Sequence, residues 1–138
     1  MLNLFSQDTV ARGDLLEDYV WQHRVLLIFT PDPRHSEFVA QQEILAGAAA
    51  GLIERDLVVL RMTPGNDVKI GPKTSPGISS DRLYRDFSID PETFRVLLIG
   101  KDGTLKLTRS AALATEVLFN LIDSMPMRQL EMQNKGAP

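Results

Sequence analysis

The sequence predicts an α/β fold in which helices flank a mixed four-stranded sheet. Two apolar runs, Val25–Phe29 and Leu57–Met62, are typical of buried parallel strands, and a long helical pattern separates them. Such a β-α-β unit predicts parallel strands joined by a right-handed crossover. Further along the chain, Asp102-Gly103 marks a tight turn between two more strands. These two strands must therefore run antiparallel.

The first half of the chain begins with a short amphipathic segment within residues 8–22, which leads into the first strand. After that strand, Asp32-Pro33 predicts a helix start, because a carboxylate can cap free N–H groups and proline suits the first helical position. The helix is predicted to continue to about Glu54, where the second strand follows.

The second half is predicted to hold a helix and a hairpin after a long loop. Residues 64–80 are rich in Gly, Pro, Ser and Lys, which predicts the loop, and a short helix follows at 81–87. Strands are predicted at Phe94–Ile99 and Thr104–Thr108. The alternation of leucine with Lys and Thr in the last strand indicates one exposed face, and hence an edge of the sheet.

The chain is predicted to be a single domain over residues 1–138, with no repeats and no linker. Its last predicted helix runs from Ala112 to Ser124. Residues 126–138 are polar and are expected to form a C-terminal tail that frays towards its end. The exposed last strand and the methionines near this tail make a homodimer a possible state.

Composition excludes several classes of protein. The chain of 138 residues has no cysteine, so it can form neither a disulfide nor a cysteine nucleophile. His23 and His35 are its only imidazoles, so we predict no metal site and no cofactor. A net charge of −3 and short apolar runs give no support for nucleic-acid or membrane binding. Read as it stands, the sequence predicts a soluble cytoplasmic protein, or a periplasmic or secreted one if a signal peptide was removed.

The order of elements over residues 20–124 resembles the thioredoxin superfamily. A narrower likeness is carried by several short segments: Tyr19–Trp21, Arg24–Phe29, Gln41-Gln42, Glu54–Val59, Leu98–Gly103, Leu118–Asp123 and Met125–Met132. These resemble a domain of unknown function found in small stand-alone bacterial proteins and at the C-termini of animal sushi-repeat-containing extracellular proteins and equarin. The resemblance implies a thioredoxin-like, peroxiredoxin-like fold without an established activity.

In that superfamily, redox cysteines open the helix that follows the first strand. Here Arg34 and Glu37 lie near the corresponding positions, so dithiol exchange is chemically impossible. The thioredoxin cis-proline is also missing, and Arg95 stands in its place. Arg95 resembles the arginine that peroxiredoxin-like proteins keep just before this strand. A cysteine-dependent oxidoreductase is therefore excluded.

The loop that opens the helix supplies the candidate ligand-binding residues Thr30, Asp32, Arg34 and His35, together with Arg95. Two arginines beside a helix N-terminus could bind a small anion or an acidic protein group. An ordinary salt bridge from Arg95 to a nearby carboxylate, on Asp32 or Glu37, is the alternative. The function we predict is that of a redox-inactive module that binds an unknown protein or a small anionic ligand.

The alternative function is a non-redox enzyme with a pocket around Asp32, His35 and Arg95. His35 could act as a base oriented by Asp32, with Ser36 as the nucleophile. That chemistry requires the side chains to converge in space, whereas neighbours in the first turn of a helix diverge. We therefore assign no catalytic residue.

Overall fold

The computed structural model describes residues 13–71 and 73–136, which form a six-stranded mixed sheet with helices on both faces. The strands are β1 (Arg24–Phe29), β2 (Leu57–Met62), β3 (Asp67–Ile70), β4 (Lys73–Ser79), β5 (Arg95–Ile99) and β6 (Leu105–Arg109). The helices are α1 (Gly13–Glu17), α2 (Ser36–Ala46), α3 (Ala49–Glu54), α4 (Ser80–Asp86), α5 (Thr115–Asp123) and α6 (Pro126–Gly136). The first part of the predicted amphipathic segment, residues 8–12, lies outside the described residues.

Strand β1 lies at the centre of the sheet, whose order is β4-β3-β2-β1-β5-β6. It pairs parallel with β2 and antiparallel with β5, so the predicted β-α-β unit is confirmed. All six residues of β1 are buried, as its continuous apolar run predicts. The predicted edge position of the last strand is confirmed as well, since β6 has β5 as its single neighbour.

Two apolar layers cover the faces of the sheet. One contains Val25, Leu27 and Phe29 of β1 and packs against α1 and α4. The other contains Leu26 and Ile28 and packs against α2 and α5. Because side chains alternate along a strand, each strand of the centre contributes to both layers.

The prediction of a long loop at 64–80 is wrong, and with it the prediction of four strands. Strands β3 and β4 form an antiparallel hairpin there and extend the sheet beyond β2. Gly71 forms the turn with φ of +57°, a conformation that favours glycine. The glycines and lysines that suggested a loop belong to an exposed edge hairpin, while Val68 points inward and is fully buried.

The single long helix predicted before β2 is two helices, α2 and α3, which are separated at Gly47-Ala48. The small residues of this region have a packing role. A Cβ atom on Gly51 would overlap the ring of Phe119, so glycine lets α5 lie close against α3. The guanidinium of Arg55 covers the same ring at 3.8 Å from its centroid. None of the described helices is long and apolar enough to cross a membrane.

The prediction of a frayed tail at 126–138 is wrong for residues 126–136, which form helix α6. Glu131 of this helix accepts two hydrogen bonds from the Arg24 guanidinium, at 3.2 and 3.1 Å, and one from Lys101 at 2.6 Å. Lys101 also pairs with Asp56 at 2.9 Å. Arg24 is 1% exposed, so α6 covers a buried cation at the start of β1.

A second group of ion pairs fixes the beginning of the same helix. Arg128 is 1% exposed and donates to Glu54 at 2.7 Å and to Asp123 at 2.9 Å. Asp123 also accepts two hydrogen bonds from Arg55, which hold the pKa of its carboxyl below the usual range. Polarity suggested a solvated tail because Glu54, the partner of Arg128, and Arg24, the partner of Glu131, lie far away in the sequence.

Candidate functional site

The loop between β1 and α2 leaves the carboxyl end of the two parallel strands. Thr30 is fully buried at its base, and its backbone N–H donates to the Met62 carbonyl at 3.0 Å. The Thr30 hydroxyl donates to the carbonyl of Asp32 at 2.8 Å. These bonds fasten the loop to the end of β2. Thr30 therefore fixes the path of the loop from beneath.

Asp32 closes a turn within the loop and does not cap the helix. Its Oδ1 accepts a hydrogen bond from the backbone N–H of Arg34 at 2.7 Å, which lowers the pKa of the carboxyl. The Arg34 guanidinium approaches the same oxygen at 3.5 Å, and its side chain is 91% exposed. The predicted N-cap at Asp32 is thus wrong, and the carboxylate is instead held by hydrogen bonding within the loop.

His35 is the N-cap of α2. Its Nδ1 accepts a hydrogen bond from the backbone N–H of Glu37 at 3.2 Å, and the helix begins at Ser36. The imidazole also stacks on Phe94, with centroids 5.8 Å apart and planes 9° from parallel. The sequence pattern pointed to Asp32 because aspartate is a commoner cap than histidine.

Glu37 and Gln41 attach helix α2 to the segment before α5. Glu37 accepts a hydrogen bond from the Ala112 backbone at 2.7 Å. The fully buried Gln41 exchanges two hydrogen bonds with the Leu113 backbone, at 2.7 and 3.1 Å. The Glu37 carboxylate therefore has a structural partner. Sequence reasoning missed Gln41, although a polar residue in the middle of an apolar helix face is a signal.

Arg95 opens β5 and lies directly opposite Phe29 in the sheet register. Its side chain is half-buried, and the Nε atom is buried without a hydrogen-bond acceptor. Among the ion pairs of residues 13–71 and 73–136, none includes Arg95. The alternative prediction, a salt bridge from Arg95 to Asp32 or Glu37, is therefore not observed in this part of the chain. Arg95 is a cation that the described part of the fold leaves without a counter-charge.

Strand alternation separates Arg95 from His35. Arg95 shares the sheet face of Phe29 and Leu97, whereas His35 stacks on Phe94, which belongs to the opposite apolar layer. His35 Nδ1 is occupied by the helix cap, and Asp32 bonds to Arg34. The described contacts therefore do not form a triad from these side chains. They also bring no three His, Asp or Glu side chains into a group that could hold a metal ion.

Tyr84 is a site residue that sequence reasoning missed. Its hydroxyl lies 3.2 Å from the Thr30 carbonyl and 3.4 Å from the Met62 carbonyl, and it donates to these strand-end acceptors. Burial raises the pKa of its phenol to about 12, so the hydroxyl stays protonated. The ring packs edge-on against Phe29. Tyr84 thus links the carboxyl ends of β1 and β2, where α/β sheets open their ligand crevices.

Fold and site together define a thioredoxin-like domain whose redox loop contains no cysteine. The solved structures similar to this chain support that class. The reduced 2-Cys peroxiredoxin of Plasmodium vivax gives a TM-score of 0.58 at 16% identity, covering 87% of this chain and 84% of that one. The thioredoxin peroxidase I of Plasmodium yoelii gives a TM-score of 0.60 at 16% identity, covering 89% of this chain and 81% of that one. At this identity the likeness shows the fold alone, and the predicted thioredoxin-like fold is confirmed.

The chain belongs to a family described as a domain of unknown function (DUF4174), whose model matches residues 15–131. Its curated relatives include the human sushi repeat-containing protein SRPX, which is 30% identical over 121 residues, 86% of this chain and 26% of that protein. Coiled-coil domain-containing protein 80 of Danio rerio is 29% identical over 136 residues, 86% of this chain and 16% of that protein. The predicted family resemblance is confirmed. The chain spans about a quarter or less of these relatives.

Proposed function

We propose that this protein is a redox-inactive thioredoxin-fold module that binds a carboxylate- or phosphate-bearing group beside the loop after β1. The observation that carries the proposal is Arg95. It is half-buried beside the end of β1, and none of the ion pairs of the described residues neutralises it. The shared chemistry is that of a small anion or of an acidic side chain on a protein.

The pairing of the other buried arginines supports this reasoning. Arg24, Arg55 and Arg128 are buried or nearly so, and each is paired with a carboxylate within 3.1 Å. Arg61 is half-buried and has a backbone partner instead, the carbonyl of Gly71. A partly buried guanidinium without such a partner retains its capacity for charge-assisted hydrogen bonds, which are the strong ones. Exposed Arg34 can add a second positive charge when an anion approaches the loop.

The geometry favours binding over catalysis. A general base needs a free acceptor within reach of the substrate. In His35 that acceptor, Nδ1, is already bonded to the helix N-terminus, and the Asp32 carboxylate is bonded to Arg34. No observation among the described residues therefore favours the alternative of a non-redox enzyme.

The proposal is tested by following the side-chain Nε–H signals of ¹⁵N-labelled protein in NMR titrations. Inorganic phosphate and glutarate serve as separate probes, with sodium chloride keeping the ionic strength constant. We expect the Arg95 signal to shift and saturate with one probe. Arg95→Gln should weaken binding by about tenfold or more, the scale of one charged hydrogen bond. The phosphate and glutarate arms distinguish a phosphoryl group from a carboxylate.

Lys69→Gln is the control for the loss of one positive charge, because Lys69 is exposed on β3, three strands away from β5 in the sheet order. It should leave the titration unchanged, and Arg95→Lys should keep part of the affinity. Equal, non-saturating shifts in all variants would contradict the proposal. So would robust turnover of the pure protein in thiol–disulfide or peroxide reduction assays.

A location outside the cytoplasm forms the second part of the proposal. Its support is the resemblance of this chain to animal sushi-repeat-containing extracellular proteins, among them SRPX. Fractionation of cells that express the native gene product tests it. Recovery in the cytosolic fraction alone would show that the protein acts inside the cell.

A further inference from the structure

Strand β6 forms an open edge of the sheet. Within residues 13–71 and 73–136, β5 is the one strand that pairs with it. Four of the five residues of β6 are exposed, and Leu107 is half-buried. An edge strand presents a row of backbone N–H and C=O groups that have no partner within the sheet. This edge can therefore accept a further strand.

The opposite edge of the sheet, β4, is a poorer place for a further strand. It contains Pro76, which has no backbone N–H to donate. Strand β6 contains no proline. Its register with β5 shifts once near Leu105, and residues 107–109 then pair regularly with β5. Of the two edges, β6 thus has the more complete set of backbone donors.

The charge of β6 indicates the kind of segment that can pair with it. The strand carries Lys106 and Arg109 and no acidic residue. Lys106 pairs with Asp102 in the preceding turn at 3.0 Å, whereas none of the ion pairs of the described residues includes Arg109. Two copies of β6 would bring these cations together on one ladder, and like charges across strands are destabilising. The charges thus disfavour a second copy of this chain and favour an acidic segment.

Exposed apolar side chains border the start of the same strand. Leu105, its first residue, is 52% exposed. Trp21 is 65% exposed, and its backbone N–H donates to the Lys101 carbonyl in the turn that leads from β5 to β6. The other end of the strand is Arg109. A segment with aliphatic residues at one end and carboxylates at the other matches both ends of β6.

We infer that β6 binds an extended, acidic segment of another protein, which adds to the six-stranded sheet as a further strand. In this mode of recognition, backbone hydrogen bonds to the open edge give affinity and the side chains give specificity. The carboxylates of the segment lie beside Arg109, and its aliphatic end lies beside Leu105. The inference is independent of anion binding at Arg95.

Blocked hexapeptides test the strand addition. One has three valines followed by three glutamates, and the other has the reverse sequence, because an added strand can run in either direction. NMR titration of ¹⁵N-labelled protein measures affinity, and hydrogen exchange measures backbone pairing. With at least one peptide we expect saturable binding and slower exchange of the β6 amides that do not bond to β5. Peptides with lysine in place of glutamate should bind about tenfold more weakly or worse.

Charge reversal tests the role of Arg109. Arg109→Glu should weaken the binding of the acidic peptide by about tenfold or more, because it sets a carboxylate against those of the segment. Lys69→Glu is the matched control, because Lys69 is exposed on β3, near the opposite edge of the sheet. It should bind the peptide like the wild type. Far-ultraviolet circular dichroism confirms that each variant is folded.

Four results would overturn the inference. The first is the absence of saturable binding of both acidic peptides, and the second is binding that leaves hydrogen exchange in β6 unchanged. The third is a loss of binding in Arg95→Gln but not in Arg109→Glu, which would assign the peptide to the loop after β1. The fourth is protection of the β6 amides that rises with protein concentration alone, which would show a second copy of this chain on the edge.

Discussion

Replacing Glu131 by glutamine removes the charge that two buried cations share. Glu131 accepts hydrogen bonds from Arg24 and from Lys101, whose side chains are 1% and 8% exposed. Breaking a buried ion pair by removing one partner costs roughly 3–5 kcal/mol. Since the Glu131 side chain is itself 25% exposed, we expect a loss of about 3 kcal/mol in the free energy of unfolding. For a chain of this length that corresponds to a melting temperature lower by about 10 °C.

The same carboxylate predicts how stability depends on pH. Burial raises the pKa of Glu131, but the hydrogen bonds from Arg24 and Lys101 lower it more, so the net shift is downward. A group whose folded pKa is depressed stabilises the protein fully above its unfolded pKa, here about 4.3. This contribution is lost as the pH falls through the lower pKa of the folded state. The wild type and Glu131→Gln should therefore converge in stability in acid.

Urea unfolding followed by circular dichroism measures both effects. Glu43→Gln serves as the control, because Glu43 is exposed on α2, and it should change stability by less than about 0.5 kcal/mol. Combining Glu131→Gln with Arg24→Met should recover part of the loss, since Arg24 loses its Glu131 carboxylate and this unpaired buried cation is then removed. A Glu131→Gln protein as stable as the control at neutral pH would refute the reasoning. So would a difference from the wild type that persists unchanged in acid.

Three further substitutions test the site and its packing. His35→Ala should lower the free energy of unfolding, measured by heat or urea, by about 1 kcal/mol because the cap on the Glu37 N–H is lost. His35→Asn should keep most of that stability, because asparagine is a good N-cap residue. Gly51→Ala should cost about 1–3 kcal/mol because the new methyl group meets the Phe119 ring, and a normal melting temperature would contradict the packing. Tyr84→Phe should lower the free energy of unfolding by about 1 kcal/mol, because the hydrogen bonds of the hydroxyl are lost. In an ultraviolet titration of tyrosine ionisation, the step near pH 12 should disappear.

The sequence was most informative where a single periodicity governs an element. The continuous apolar run of β1 predicted a buried strand, the alternation in β6 predicted an edge strand, and both were found. The hairpin β3–β4 could not be predicted in this way, because β3 has four residues and Val68 is the one fully buried apolar residue among those of the hairpin whose burial the structure describes. Edge strands also carry Lys and Pro, so these residues alone do not distinguish an edge hairpin from a loop.

For the candidate site, residue chemistry was predictable and geometry was not. The absence of cysteine excluded thiol–disulfide exchange on the sequence alone. Both Asp32 and His35 stand near the start of α2. His35 is the cap because of its contacts in the folded chain with the Glu37 backbone and the Phe94 ring. The role of Tyr84 was hidden for the same reason, since its acceptors lie 54 and 22 residues away.

The ion pairs beneath α6 also set a limit on when the chain can finish folding. Arg24, at the start of the central strand, finds its carboxylate 107 residues later, at Glu131. A nascent chain that emerges from the ribosome therefore carries this guanidinium without its counter-charge until residue 131 has emerged as well. Closing the sheet earlier would bury an uncompensated cation. Native folding of this domain thus has to wait for the synthesis of helix α6.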